Sequence, residues 1–147
     1  MSCLNLKTLS NYKDKPSLLF FSSGLGAGGA EAMLFRITKH FKKSDCNVFI
    51  INLTNQNTLE EAFKYLEVDV IHLPISRPIV FLTRLFLLLR FFKEINLIAI
   101  IGWMYLGCVA SSLFTAILPG KHKLYWSIRQ SLSFWHSEKW LTRIVIH

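Results

Sequence analysis

The sequence is short of acidic side chains and of cysteine. Nine Asp and Glu residues stand against seventeen Lys and Arg, which gives a net charge of +8 and favours anionic partners such as phosphorylated substrates, acidic lipid headgroups or nucleic acid. No nucleic-acid-binding motif accompanies this charge, so we expect no nucleic-acid partner. Cys3, Cys46 and Cys108 are far apart, odd in number and without a CxxC pair, a pattern that argues against disulfides and against a metal site.

The amino terminus lacks the compact apolar segment of a secretion signal. Residues 1–16 are mostly polar, and we expect them to form a loose leader before the first strand. The remaining residues, 17–147, have the length of one domain. Together with the unpaired cysteines, this pattern predicts a cytoplasmic protein, with peripheral attachment to the inner face of the membrane as an open alternative.

Apolar residues, in contrast, are abundant: they make up 52% of the 147 residues, which predicts elements buried on more than one side. Strand-like runs occur at residues 18–21, 48–53, 68–72, 97–101 and 123–127. Helix-like runs occur at residues 30–43, 59–66, 79–94 and 106–118. This alternation predicts an α/β, Rossmann-like fold whose mainly parallel sheet has helices on both faces and binds ligands at the carboxyl ends of its strands.

One stretch, residues 95–118, contains no charged residue and is long enough to span a membrane. Asn96, Gly102, Gly107 and several hydroxyl residues dilute its apolar character. A buried strand followed by a buried helix accounts for the same residues, and we expect that arrangement.

Four glycines within six residues, Gly24, Gly26, Gly28 and Gly29, follow the first predicted strand and precede the first predicted helix. Glycine tolerates positive φ and has no Cβ, so the main chain can bend sharply and a ligand can approach its amides. The free N–H groups and positive dipole end of the helix would favour an anion there. A plain strand-to-helix turn is the alternative.

The same glycines satisfy the GxGxxG pattern of dinucleotide-binding folds. Those folds place an acidic residue at the end of the second strand to hold the ribose. Here residues 54–57 read Thr-Asn-Gln-Asn and contain no carboxylate. We therefore do not expect a nicotinamide cofactor, and no other cofactor is indicated.

The predicted helix at residues 79–93 is strongly apolar and carries Arg84, Arg90 and Lys93 on one half. Two interpretations are open. The helix packs on the sheet while its cations extend to water, or it forms a basic amphipathic surface that lies on an anionic membrane. Six residues are expected to cover its apolar side: Phe81, Leu82, Leu85, Leu88, Leu89 and Phe92.

Three blocks of sequence resemble the amino-terminal half of a family 4, GT-B type glycosyltransferase. They are GLGAGGAEAML at residues 24–34, the segment with GWMYLG at residues 95–120, and LYWSIRQS at residues 124–131. They are similar to that family's GGAE loop, its Trp-Met-Tyr strand end and its W-x-I-R-x-S strand, in the same order. The resemblance spans nearly the whole chain.

The resemblance implies retaining transfer of a sugar from a nucleotide-sugar donor to a cell-envelope saccharide or lipid acceptor, with this domain on the acceptor side. Glu31 lies in the first turn after the loop and is a contact for the ligand or a partner of the helix dipole. The residues that the resemblance places at the donor phosphates or in the cleft are Gly26, Gly28, Gly29, Glu31, Trp103, Met104, Tyr105 and Arg129.

Alternatives are open for three of these side chains. Trp103 and Tyr105 are residues of the cleft or part of the core. Arg129 pairs with a phosphate or carboxylate of the ligand, or makes a structural ion pair.

Two departures from the family bear on activity. Residues 106–108 read Leu-Gly-Cys where the family has His-Ala-Asp, so no histidine or carboxylate stands there. The family's carboxyl-terminal donor domain with its E-x7-E carboxylates is also missing from the 147 residues. We expect the chain alone to be inactive, as a fragment, a truncated frame or one half of a split enzyme. A non-catalytic basic α/β module that binds a membrane surface or a partner protein is the other hypothesis.

Overall fold

The computed structural model describes residues 12–73 and 78–128, in which strands and helices alternate. The strands are β1 (Ser17–Ser22), β2 (Asn47–Asn52), β3 (Asp69–His72), β4 (Leu97–Trp103) and β5 (Lys123–Ser127). The helices are α1 (Gly29–Lys43), α2 (Glu60–Tyr65), α3 (Pro78–Glu94) and α4 (Met104–Ile117). Each predicted run corresponds to one of these elements, with ends that differ by two residues or fewer.

The five strands form one sheet in the order β3-β2-β1-β4-β5, and every neighbouring pair is parallel. All six residues of β1 are buried, as expected for a central strand covered on both faces. The order of the strands reverses between β1 and β4. The fold is therefore α/β and Rossmann-like, as the sequence predicts.

Two apolar cores lie on opposite faces of the sheet because alternate residues of a strand point to opposite sides. Phe20 of β1 packs with Leu34 of α1 and Phe63 of α2. Phe21, the next residue, packs on the other face with Phe92 of α3 and Phe114 of α4. The second core is rich in aromatic pairs, for example Phe21 with Phe114 at 5.1 Å between ring centroids.

Residues 95–118 form β4 and α4, so the expected buried strand and helix are confirmed. Within residues 12–73 and 78–128, no helix combines the length and the apolar character that crossing a membrane requires.

Helix α4 approaches the sheet closely through two glycines. A Cβ on Gly107 would collide with the main-chain oxygen of Phe21 in β1. A Cβ on Gly102 of β4 would lie 2.5 Å from the Cα of Cys108 and 2.5 Å from Ser111 Oγ. These two positions let the helix backbone rest directly on β1 and β4.

The expected apolar side of α3 is wrong in detail. Leu82 is 63% exposed, whereas Phe91 is only 8% exposed and belongs to the core. The sheet contacts α3 mainly through its last turns, where Leu88, Phe91 and Phe92 are buried. The amphipathic pattern alone could not show which arc of so apolar a helix faces the sheet.

Tyr12, within the predicted leader, packs against the domain. The ring of Tyr12 lies 5.2 Å from that of Phe49 and 6.0 Å from that of Phe91, measured between centroids. Its hydroxyl donates to Asp69 Oδ2 at 3.0 Å. Burial and the neighbouring carboxylate raise the pKa of Tyr12 to about 12. Tyr12 therefore ties the leader to the amino-terminal ends of β2 and β3.

We expect Gly107→Ala to lower the free energy of unfolding by about 1–3 kcal/mol, because the new methyl group meets main chain that cannot rotate away. Gly29→Ala is the control. It has open space at the Cβ position and lies in the first turn of α1, so its stability should be unchanged or slightly higher. Urea unfolding followed by circular dichroism measures both. Equal stability of the two variants would contradict the close packing of α4.

Candidate functional site

The carboxyl ends of β1 and β4 meet where the strand order reverses, the usual ligand-binding position in open α/β sheets. Residues 23–28, called the glycine loop below, connect β1 to α1. The junction between β4 and α4 lies beside it. The structure therefore brings the glycines and the Trp103–Met104 pair to the same edge of the sheet.

The glycine loop is held by the connection between β2 and α2. Leu25 N donates to Gln56 O at 3.0 Å, and Leu59 N donates to Leu25 O at 3.0 Å. Within the loop, the buried Ser22 hydroxyl donates to Gly24 O at 2.7 Å. These bonds fix the main chain of the loop without any ligand.

Asn52, the last residue of β2, organises that connection and was not predicted as a site residue. Its side chain is fully buried. Nδ2 donates to Gln56 O at 2.7 Å, and Oδ1 accepts from Thr54 N at 3.2 Å. Gln56 O thus receives bonds from both Asn52 and Leu25. A buried amide followed by a polar run at a strand end is the signal that could have identified it.

The glycines of the loop are not needed for positive φ angles, although the sequence analysis suggested that role. Among the glycines that the structure describes, only Gly120 has a positive φ, so backbone freedom is not the need in this loop. A Cβ on Gly24 would lie 2.8 Å from Gln56 Oε1, and one on Gly28 would collide with the Glu31 carboxylate. Gly29 has no atom within 4 Å of its Cβ position. Gly29 therefore leaves main chain open to a ligand, whereas Gly24 and Gly28 make room for other side chains.

Glu31 folds back over the start of α1. Its carboxylate lies next to Gly28, the residue that precedes the helix and gives it no side-chain cap. A negative charge there interacts favourably with the positive end of the helix dipole. The position supports the helix-dipole interpretation, and it also means that an incoming anion meets a carboxylate unless Glu31 turns away.

The β4–α4 junction has no intervening residue: Trp103 ends the strand and Met104 begins the helix. Met104 has a φ of 63°, a left-handed conformation that is costly for a side chain other than glycine. The indole Nε1 of Trp103 donates to Ala30 O in α1 at 3.1 Å. This bond joins the end of β4 directly to the start of the glycine-loop helix.

Burial bears on the alternatives for the aromatic residues. Trp103 is 2% exposed and Tyr105 is 6% exposed, so both side chains are buried, as expected for residues of the core. Met104 is partly exposed and remains a candidate for ligand contact. Cys108 is buried, which raises its thiol pKa, and its Sγ lies 3.5 Å from Gly102 O. Arg129 lies outside the described residues.

A second polar cluster lies at the carboxyl end of β3 and was also missed. Glu60 pairs with His72 Nε2 at 2.9 Å and with Lys64 Nζ at 2.7 Å. The hydrogen bond from Lys64, with the His72 contact adding to it, lowers the pKa of Glu60. Arg84 Nη1 donates to the main-chain oxygen of His72 at 2.7 Å.

That contact changes the role expected of Arg84. Its side chain is only partly exposed and binds the end of β3, so it does not project from the surface as the membrane interpretation requires. Arg90 and Lys93 are exposed. In the described ranges, no three His, Cys, Asp or Glu side chains are grouped so that they could hold a metal ion.

Comparison with known proteins gives a likeness of fold. No family model and no curated protein sequence matches the chain. The solved structure of a glycosyltransferase from Rickettsia africae ESF-5 matches with a TM-score of 0.56 and 18% sequence identity. The match covers 84% of this chain and 34% of that one, so this chain spans about a third of the length of the solved glycosyltransferase.

We expect Asn52→Ala to cost about 1–3 kcal/mol of stability because it leaves the partly buried amide of Thr54 without its partner and removes a bond to Gln56 O. Asn55→Ala, at an exposed position of the same connection, should change stability by less than about 0.5 kcal/mol. Hydrogen exchange should also speed up at Leu25 in the first variant only. Equal exchange at Leu25 in both variants would contradict the support of the glycine loop by Asn52.

The Glu60 cluster predicts a pH dependence of stability. Because folding lowers the pKa of Glu60, its contribution is present above the unfolded value of about 4.3 and is lost as the pH falls through the folded value. Glu60→Gln should therefore destabilise the protein at about pH 7 and much less at about pH 3. Glu61→Gln, at the exposed neighbouring position, is the control. If Glu60→Gln lowered the free energy of unfolding by the same amount at about pH 7 and at about pH 3, the charge interaction would be excluded.

Proposed function

We propose that this chain is the acceptor-binding half of a retaining glycosyltransferase of the GT-B, family 4 type. In this proposal it takes part in transfer from a nucleotide-sugar donor to a cell-envelope saccharide or lipid acceptor. The observation that carries the proposal is the meeting of the glycine loop and the β4–α4 junction at the reversal of strand order. The motif resemblance and the likeness of fold to a solved glycosyltransferase support it.

The chemistry of this position suits a diphosphate leaving group. Helices α1 and α4 both begin there, and neither has a side-chain cap on its first N–H groups. Gly29 leaves the main chain of α1 open, and the first turn of α4 contains no acidic residue. The positive dipole ends of two helices without side-chain caps would favour the developing negative charge of the departing nucleotide.

Other parts of the reaction need a second domain. Within the glycine loop and the first turns of α1 and α4, Glu31 is the one carboxylate, and it lies at the dipole of its own helix. We propose that a donor domain, in a longer form of this protein or in a partner chain, supplies the nucleotide-binding surface and the catalytic carboxylates. The chain alone would then be inactive.

The alternative is a non-catalytic basic α/β module that binds a membrane or a partner protein. The net charge of +8 and the large apolar side chains exposed on α3 favour it. Transfer activity separates the two proposals. A donor domain supplied in the same chain or as a separate protein should restore sugar transfer only if the first proposal holds.

The first test is titration calorimetry of the isolated chain with nucleotide sugars and with NAD. We expect weak or undetectable heat with both, because the ribose-binding carboxylate after β2 is missing and most of the donor surface lies elsewhere. Micromolar affinity for either ligand would contradict the proposal that a separate donor domain binds the nucleotide sugar.

The second test uses the chain joined to a donor domain. Gly29→Ala should lower kcat/KM by about tenfold or more, because a methyl group blocks approach to the helix start, while leaving stability intact. Lys39→Arg, at an exposed position further along the same helix, is the control. Full activity of Gly29→Ala would show that the start of α1 is not part of the proposed site.

A further inference from the structure

The outward face of α3 is apolar and uncovered. Ile79 is 79% exposed, Leu82 63%, Phe86 67% and Leu87 63%. Their spacing of three, four and one residues places all four along one side of the helix. We call these four residues the α3 apolar face. So many large apolar side chains on one helix mark an interaction site more often than a bare surface.

Two cations continue this face toward the end of the helix. Arg90 follows Phe86 by four residues and Lys93 follows it by seven, so both lie on the same side, and both are exposed. The neighbouring Glu94 points its carboxylate to Lys13, with 3.9 Å between Oε2 and Nζ. This side of α3 is thus apolar in its first turns and positively charged in its last turns.

The core does not need this face. Leu88, Phe91 and Phe92 hold the opposite side of α3 against the sheet. Helix α4 covers the same face of the sheet and also exposes Leu113 at 62% and Ile117 at 57%. The outer layer of the domain on this side is therefore broadly apolar, whereas the exposed residues Arg36, Lys39 and Lys43 belong to α1 on the other side.

We propose that the α3 apolar face docks on an anionic phospholipid bilayer, with Arg90 and Lys93 at the headgroups. Charge selects this occupant over a second copy of the chain. Two copies related by a twofold axis would bring the same cations, and two molecules of charge +8, together. An anionic surface attracts the same charges and also removes the apolar side chains from water.

The inference is independent of the proposed transferase, although it fits a lipid-linked acceptor. Helix α3 begins at the carboxyl edge of the sheet, because it follows β3 in the chain and β3 ends at that edge with its parallel neighbours. The first turns of α3 and the glycine loop therefore lie at the same edge of the sheet. A bilayer that contacts α3 would be near that edge.

The experiment is co-sedimentation of the chain with vesicles of phosphatidylcholine alone and of phosphatidylcholine mixed equally with phosphatidylglycerol. We expect binding to the anionic vesicles, weaker binding at high salt, and little binding to the neutral ones. Arg90→Gln with Lys93→Gln should weaken binding by about tenfold. Phe86→Ser with Leu87→Ser should weaken it at both salt concentrations.

Matched controls distinguish the effect of the α3 apolar face and its cations from the effect of net charge. Lys39→Gln with Lys43→Gln removes the same charge from exposed positions on α1 and should retain most of the binding. Leu82→Ser, with circular dichroism as the check of folding, repeats the apolar test if the double serine variant does not fold. Equal binding to both vesicle types, or equal losses in the two glutamine pairs, would overturn the proposal. So would a stable dimer in light scattering that Phe86→Ser converts to monomer.

Discussion

The close contact of α4 with β1 is the constraint on which the candidate site depends. Gly107 lets the helix backbone reach the carbonyl of Phe21, and Gly102 makes the same room on β4. With the helix so close, the chain must turn directly from strand to helix at Met104, whose left-handed φ is the cost. Trp103 is thereby held where its indole reaches the start of α1.

A second interaction also holds the glycine loop, and it involves an uncharged side chain. Asn52 directs the β2–α2 connection, and the main chain of that connection bonds to Leu25. Where dinucleotide-binding folds use an acidic residue to hold a ribose, this chain uses a buried amide to hold its own loop. The end of β2 therefore supports the loop here, and the loop has a defined main chain before any ligand arrives.

Charge and apolar surface are distributed unequally around the sheet. The α1 side carries exposed cations among polar residues, while α3 and α4 expose apolar side chains with cations at one end of α3. An excess of eight positive charges opposes association with another copy and favours an anionic surface. The proposed binding site at one edge and the proposed docking face on one side are compatible in a domain of this size.

The alternation of apolar runs was enough to predict the sheet, the helices and the position of the glycine loop, because each period is a local property of the chain. The uncharged run at residues 95–118 was likewise divided correctly into a strand and a helix, since its glycines and hydroxyl residues make it less apolar than a membrane span. Local pattern could not show that Trp103 and Tyr105 are interior, that Arg84 binds the end of β3, or that Leu82 faces water while Phe91 does not. Those outcomes depend on which residues from distant parts of the chain come to lie opposite one another. Only the tertiary structure decides that, because burial and hydrogen bonding at each of these positions are set by a partner that the local sequence does not contain.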